Sequence, residues 1–282
     1  MRTDPPEHDP DADLTPAPGR PGIWTSGPAS GIPLVLVHGI RVAARMWDPH
    51  ARQLAPRFRV TAPDLPAHGT LRERAFSMEE AVAQVDHAVD EATRATGRRP
   101  LVVGASLGGY VALAYGAAHP DRAAAIVAQG STARPNRLTG LVYRAAARAI
   151  RRLGPERAAR LNDRVLRRRL PPESYRAVLS GGLAMHAFVQ VVEDLTRRDF
   201  LILAKRCELP VLFVNARGDR LFRAHERQFL GAVRADGGYA RLFHVPGTHD
   251  ISISDPSAFV RIVERGHALL STARPDAFTA PQ

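Results

Sequence analysis

The sequence predicts an α/β fold in which a mostly parallel sheet is flanked by helices and interrupted by an all-helical insertion. Short apolar runs rich in valine and leucine alternate with helical patterns, which is typical of strands buried on both faces of a sheet. This alternation stops after Gly130 and resumes at Leu209, and the segment between them has a helical pattern throughout. At 282 residues the chain is long enough for one large domain with such an insertion.

The predicted strands are the apolar runs that end at glycine, proline or polar residues. In chain order they lie in GIWTSG (22–27), IPLVLVHGI (32–40), RFRVTAP (57–63), Leu101–Ala105, RAAAIVAQG (122–130), LPVLFVN (209–215) and YARLFHV (239–245). The first of these is short, and the third is broken by its proline.

The predicted helices fall between these strands. Ser77 and Glu80 form a capping box that begins a helix at Met78, and Gly97 ends it after about Thr96. The other helices of the alternating part are Trp47–Leu54, Leu107–His119, 222–234 and Pro256 to about Ser271. Those of the insertion lie near 139–153, 155–169, 172–179 and 183–205.

Composition excludes several classes of protein. The single cysteine, Cys207, excludes an intramolecular disulfide and a multi-cysteine metal site. No run of eighteen apolar residues predicts a membrane span. The acidic, proline-rich start lacks the apolar segment of a signal peptide. We expect residues 1–21 and 273–282 to be disordered tails, and we expect the location to be cytoplasmic.

The net charge of +11 comes almost entirely from arginine, since Lys205 is the only lysine. Abundant Arg, Ala, Pro and Gly is also what GC-rich coding produces. An ordinary solvated surface and a basic surface that attracts an acidic partner both fit this composition.

One serine lies between glycines where a strand passes into a helix, in GASLGG (104–109). A nucleophilic serine needs a tight, strained turn there so that its Oγ projects above the sheet. Side chains at Gly104 and Gly108 would collide with neighbouring backbone. A glycine-rich turn of this kind could also bind phosphate or serve tight packing.

Over residues 22–272 the chain resembles the α/β-hydrolase family, through five motifs in that family's order. They are LVLVHGI (34–40), APDLPAHG (62–69), GASLGG (104–109), LFVNARGD (212–219) and VPGTHDISISDPSAF (245–259). The resemblance implies an α/β-hydrolase core at 22–133 and 206–272, with a helical cap at 134–205. Relatives usually begin with a two-stranded hairpin, and because only GIWTSG is available here, we expect the sheet to lack an edge strand.

The resemblance also implies a role for each motif residue. Ser106 would be the nucleophile, His249 its general base, and Asp219 the acid that orients the imidazole. Backbone N–H groups of Ile40 and Leu107 would form the oxyanion hole. No cofactor and no metal is implied.

Other histidines and aspartates compete for these roles. His38 and His244 are expected to be structural. Asp64 is expected to fix its own turn, and Asp194, Asp199 and Asp250 are expected to lie in solvated or loop positions. By position beside the motifs, the candidate pocket residues are Trp47, Leu107, Met185, His186, Phe188 and Leu221.

The first two helices of the insertion combine an apolar stripe with many arginines. In the first helix the stripe consists of Leu141, Val142, Ala145, Ala149, Ile150 and Leu153. The arginines are expected on the other side. They could form a solvated outer face, dock an anionic membrane or an acidic carrier protein, or turn inward to hold a substrate carboxylate or phosphate.

These observations favour a cofactor-independent serine hydrolase that cleaves a small-molecule ester, thioester or lactone through an acyl-enzyme. A C–C bond hydrolase, an acyltransferase or a non-catalytic ligand-binding protein could use the same residues. Nucleic-acid binding is not expected, because the arginine-rich helices lack interleaved aromatic residues. The oligomeric state is left open.

Overall fold

Eight strands form one sheet in the computed structural model, which describes residues 13–137 and 139–279. They are β1 (Thr15–Pro16), β2 (Ile23–Ser26), β3 (Ile32–Val37), β4 (Phe58–Pro63), β5 (Leu101–Ala105), β6 (Ala125–Gln129), β7 (Val211–Ala216) and β8 (Ala240–Val245). Their order in the sheet is β1-β2-β4-β3-β5-β6-β7-β8. The β1–β2 and β2–β4 pairings are antiparallel and the other five are parallel, so the sheet is mostly parallel, which confirms the predicted fold class.

Helices cover both faces of this sheet. They are α1 (Asp48–Leu54), α2 (Met78–Thr96), α3 (Leu107–Ala118), α4 (Thr139–Leu153), α5 (Pro155–Arg169), α6 (Pro172–Gly181), α7 (Ala187–Arg197), α8 (Phe200–Arg206), α9 (Glu226–Arg234), α10 (Ile251–Ser254) and α11 (Pro256–Ala273). Side chains of α2, α3, α8 and α9 pack on one face, and those of α1 and α11 on the other. The central strand β3 contributes Val35 and Val37 to the first face and Leu34 and Leu36 to the second, as a strand buried on both sides must.

Helix α2 begins and ends where its sequence predicts. The Ser77 hydroxyl accepts a hydrogen bond from the Glu80 N–H at 3.2 Å, which satisfies one of the free amides of the first turn. Gly97 adopts φ +68° after the last turn, a conformation that glycine tolerates without strain. These two caps fix where α2 begins and ends, and the helix packs behind β3 and β4.

The helical insertion differs from its prediction in two places. The helix expected over 183–205 is two helices, α7 and α8, separated where Asp199 caps α8 by accepting the Leu201 N–H at 3.1 Å. In addition, α8 packs in the core rather than over the site, with the Phe200 and Tyr110 ring centroids 4.6 Å apart. The structural boundary between insertion and core therefore precedes α8, not residue 206.

Both chain ends are more ordered than predicted. The first twelve residues of the expected tail 1–21 lie outside the described residues, but Leu14 and Ala17 are buried, and β1 forms a short edge hairpin with β2. The sheet therefore does not lack its edge strand. At the other end α11 extends to Ala273, and the Phe278 ring lies 5.3 Å from that of His267, so only 280–282 of the second expected tail lie outside the described residues. Across the described chain, every helix is too short or too polar to cross a bilayer.

Candidate active site

Ser106 occupies the turn between β5 and α3 in a strained backbone conformation, with φ +55° and ψ −114°. A Cβ atom on Gly104 would lie 2.1 Å from the Gly108 carbonyl oxygen. One on Gly108 would lie 2.1 Å from the Val37 carbonyl oxygen. Only glycine fits at either position, so the two glycines allow the turn that carries Ser106.

Ser106, His249 and Asp219 form one hydrogen-bonded chain. The Ser106 Oγ lies 2.8 Å from His249 Nε2, and Asp219 Oδ2 lies 2.7 Å from His249 Nδ1. Because the buried carboxylate can only accept, this arrangement places the imidazole proton on Nδ1 and leaves Nε2 free to accept from the serine. The other oxygen of Asp219 accepts the Phe222 N–H at 3.2 Å.

The His249 ring is held from several sides. The Phe222 ring stacks on it with centroids 3.7 Å apart and planes inclined by 13°. A Cβ on Gly130 would come within 2.9 Å of the imidazole, so the ring occupies space that this glycine leaves open. The Gln129 amide donates to the His249 carbonyl oxygen at 3.3 Å. Sequence reasoning missed Phe222, whose only signal is its place three residues after Asp219.

Leu107 follows Ser106 directly, and the loop that carries Ile40 comes close to the serine, since a Cβ on Gly39 would lie 3.7 Å from the Ser106 Cβ. Leu107 is the first residue of α3, where a backbone N–H has no intrahelical acceptor and the helix dipole favours negative charge. The loop that carries Ile40 is fixed by two buried histidines. His38 Nε2 accepts the Leu65 N–H at 3.0 Å, and His68 Nε2 lies 2.9 Å from the Ile40 carbonyl oxygen.

Two helices of the insertion, α4 and α7, pack against each other beside this centre. Ala147 of α4 and Phe188 of α7 form a small cluster with Ile40 and Tyr143. The Tyr143 ring meets the Phe222 ring edge-on at 5.8 Å, and the Tyr143 hydroxyl is buried with no hydrogen-bond partner among the described residues. Burial raises the pKa of Tyr143, and the nearby Tyr110 and Asp219 raise it further. This hydroxyl is therefore a neutral donor close to the Ser–His–Asp group.

The candidate pocket residues are not all in one place. Phe188 lies beside the site, and Leu221 packs partly buried in the core next to Phe222. Trp47 is a wrong prediction, because it is fully buried on the α1–α11 side of the sheet against His50 and Phe259. Residues 185 and 186 line a separate groove of about 590 Å³ between α5 and the α6–α7 connection.

The competing acidic residues are engaged elsewhere. Asp194 binds Arg198 and Asp199 binds Arg134, while Asp250 accepts from the Thr248 hydroxyl at 2.6 Å. Asp64 joins strand β2 to two other segments by accepting from the Trp24 indole, the Ala44 N–H, and the Thr70 N–H and hydroxyl. His244 pairs with Glu226. Only Asp219 reaches His249 among these carboxylates.

The sheet is mostly parallel and carries a serine on a strand-to-helix turn, and an acid and then a histidine follow its last two strands in the chain. This is the arrangement of an α/β hydrolase. The chain belongs to the alpha/beta hydrolase family, whose sequence pattern matches residues 34–280.

Several known proteins are similar to parts or most of the chain. A pimeloyl-[acyl-carrier protein] methyl ester esterase of Nitrosomonas europaea is 36% identical over 110 residues, 39% of this chain and 40% of that protein. The corresponding esterase of Yersinia enterocolitica is 28% identical over 255 residues, 82% of this chain and 91% of that protein. A 2-hydroxymuconate semialdehyde hydrolase of a Pseudomonas species is 32% identical over 115 residues, 40% of each chain. The chain thus spans less than half of the length of the first and third of these relatives.

Solved structures show the same fold. A thermophilic esterase from Thermogutta terrifontis superposes with a TM-score of 0.68 at 20% identity, covering 92% of this chain and 97% of the esterase. An E-2-(acetamidomethylene)succinate hydrolase superposes with a TM-score of 0.67 at 18% identity, covering 86% of this chain and 93% of the hydrolase.

Proposed function

We propose that this protein is a serine hydrolase that cleaves an ester, thioester or lactone of a small molecule through an acyl-enzyme. The single observation that carries the proposal is the hydrogen-bonded chain from Ser106 Oγ through the His249 imidazole to Asp219. Similarity to esterases and other hydrolases supports hydrolase activity in general.

The residues act in sequence in the proposed reaction. His249 Nε2 takes the hydroxyl proton while the Ser106 Oγ attacks the substrate carbonyl carbon. Asp219 stabilises the resulting imidazolium through the Nδ1–H. The developing oxyanion is stabilised by the Ile40 and Leu107 N–H groups. The imidazolium then protonates the leaving alcohol or thiol, which leaves the acyl group on Ser106.

Deacylation reverses these roles with water as the nucleophile. His249 takes a proton from the water molecule, which attacks the acyl carbon, and the Ser106 oxygen leaves with the proton that His249 returns. An acyltransferase would use an alcohol or amine in place of this water. The apolar cluster around Ile40, Ala147 and Phe188 is suited to the acyl chain.

The proposal is tested by intact-mass spectrometry after exposure to a fluorophosphonate. We expect one adduct on the wild-type protein and none on Ser106→Ala or His249→Ala. Ser180→Ala, at an exposed serine of α6, is the matched control and should label fully. No adduct on folded wild-type protein, or an adduct that survives Ser106→Ala, would contradict the proposal and favour a ligand-binding role.

Turnover of short-chain p-nitrophenyl esters gives the second readout. Ser106→Ala should reduce kcat on the order of 10⁴-fold or more, because the nucleophile and its base act as a unit. Parallel assays with lactones, acyl thioesters and a vinylogous diketone would then separate ester hydrolysis from C–C cleavage, which could use the same three residues.

A further inference from the structure

The outer side of α4 and α5 exposes aliphatic and cationic side chains together. Along α5 these exposed residues are Arg157, Arg160, Leu161, Arg164, Val165 and Arg168. Leu161 is 48% exposed and Val165 is 49% exposed. Leu141 and Val142 of α4 are more than half exposed. We call this surface, formed by the outward residues of 141–168, the basic face.

Five of the six residues of the apolar stripe predicted for α4 therefore point outward, and Ile150 alone is half-buried against the cluster of Ala147 and Phe188. Of its members, Leu141, Val142, Ala145, Ala149 and Leu153 are exposed. The buried contact of α4 is made instead by Ala147, beside the half-buried Tyr143 and Ala146. The expectation that the arginines lie opposite the apolar stripe is wrong for this helix, since Arg148 and Arg152 share its exposed side with the aliphatic residues.

The positive charge of this surface is largely uncompensated. Residues 139–169 contain ten arginines and two carboxylates, a net charge of +8 out of the chain's +11. Within the part of the chain that the structure describes, Arg151 is the only one of the ten with an ion pair, to Glu193. Asp163, one of the two carboxylates, already accepts a hydrogen bond from the Tyr175 hydroxyl at 2.7 Å.

We propose that the basic face is a docking surface for an anionic lipid bilayer. Arginines attract acidic headgroups, and aliphatic side chains between them can enter the boundary between headgroups and acyl chains. A purely solvated surface gives no reason for exposed leucine and valine among the arginines. An acidic protein would match the charge, but it would not require aliphatic side chains spread along two helices.

Helix α5 also contacts the loops that carry Ile40 and His249. Arg169, the last residue of α5, lies near enough to Asp250 to favour its ionised form, and Asp250 follows His249 in the chain. Asn162 of α5 accepts a hydrogen bond at 2.7 Å from Arg41, which follows Ile40. Docking through this face would therefore hold a helix that contacts both site loops at the lipid surface. The docking itself does not depend on the proposed chemistry.

The test is sedimentation of the full chain with sucrose-loaded vesicles of phosphatidylcholine, with or without phosphatidylglycerol. We expect binding only to the anionic vesicles, weakened by high salt. The combined variant Arg157→Gln, Arg160→Gln, Arg164→Gln and Arg168→Gln should weaken binding at least tenfold. The matched control replaces four exposed arginines that lie outside the helical insertion with glutamine, namely Arg227, Arg241, Arg261 and Arg265. It removes the same charge and should bind as the wild type does.

A second variant distinguishes the entry of aliphatic side chains into the bilayer from simple charge attraction. Leu161→Ser with Val165→Ser leaves every charge in place and changes only exposed positions, so the fold should be retained, as circular dichroism would check. We expect vesicle binding to fall at least threefold, and binding equal to that of the wild type would overturn the inference that these aliphatic side chains enter the bilayer. Equal losses in the α5 and control arginine variants would overturn the assignment to this face. Absence of vesicle binding, with salt-sensitive binding to an acidic acyl carrier protein instead, would overturn the bilayer as partner.

Discussion

Two completely buried histidines should make the protein lose stability between pH 7 and pH 5. Burial lowers the pKa of His38 and of His50 to about 3, against about 6.5 in the unfolded chain. Below pH 6.5 the unfolded chain therefore binds two protons that the folded chain does not. The free energy of unfolding therefore decreases as the pH is lowered through this window. The decrease stops only near pH 3, where the folded state also binds the two protons.

The magnitude follows from the pKa difference. Each histidine contributes about 1.4 kcal/mol per pH unit once the pH is below 6.5, which is about 2 kcal/mol by pH 5. The two together remove about 4 kcal/mol, a large part of the ~5–15 kcal/mol that typically stabilises a protein. For His38 the structural reason is direct, because protonated Nε2 could no longer accept the Leu65 N–H. His68, which is also buried with a lowered pKa, acts in the same direction.

Urea unfolding at pH 7, 6 and 5 measures this loss. His50→Phe keeps an aromatic ring between Trp47 and Phe259 and removes one titrating group. The unfolding free energy that is lost between pH 7 and pH 5 should therefore be about 2 kcal/mol smaller than in the wild type. The control His87→Gln, at an exposed histidine of α2, should leave the slope unchanged. Parallel stability curves for the wild type and His50→Phe would refute the reasoning.

Three further predictions concern the site and its support. Gly108→Ala should reduce kcat/KM at least 100-fold, because the new Cβ would lie 2.1 Å from the Val37 carbonyl oxygen; ester turnover comparable to wild type would show that the turn can move aside. Phe222→Leu should lower kcat about tenfold with little change in KM, because the His249 ring loses its stacking partner; an unchanged kcat, or a shift in KM alone, would assign Phe222 to substrate binding. Asp64→Asn should lower the free energy of unfolding by about 2 kcal/mol, since one carboxylate accepts four hydrogen bonds from three segments of the chain; a melting temperature equal to that of the wild type would contradict this.

The sheet and the serine turn could be predicted because their signals are local. A strand buried on both faces must be apolar throughout, so β3, β5 and β7 are visible as continuous runs. The turn at Ser106 is visible because only glycine fits at Gly104 and Gly108. In both cases the constraint lies within a few consecutive residues.

The rest depends on contacts between distant segments. Periodicity shows which residues of α4 share a side, but it does not show which side faces the protein. Here Tyr143, Ala147 and Ile150 pack inward, while Leu141 and Val142 face out. Trp47 lies next to a motif in the sequence, yet its ring is fully buried in the core against Phe259 of α11. Phe222 acquires its role only because the fold brings His249 onto its ring.

The backbone strain at Ser106 sets catalysis against stability at a single residue. With φ +55° and ψ −114°, this position holds a conformation that glycine adopts readily and a side chain does not. Random mutation selected only for thermal tolerance should therefore accumulate glycine at residue 106, at the cost of the proposed nucleophile. Retention of serine there under such selection would be a sign that activity was being maintained, so the residue can report whether a laboratory lineage or a natural descendant still uses its catalytic chemistry.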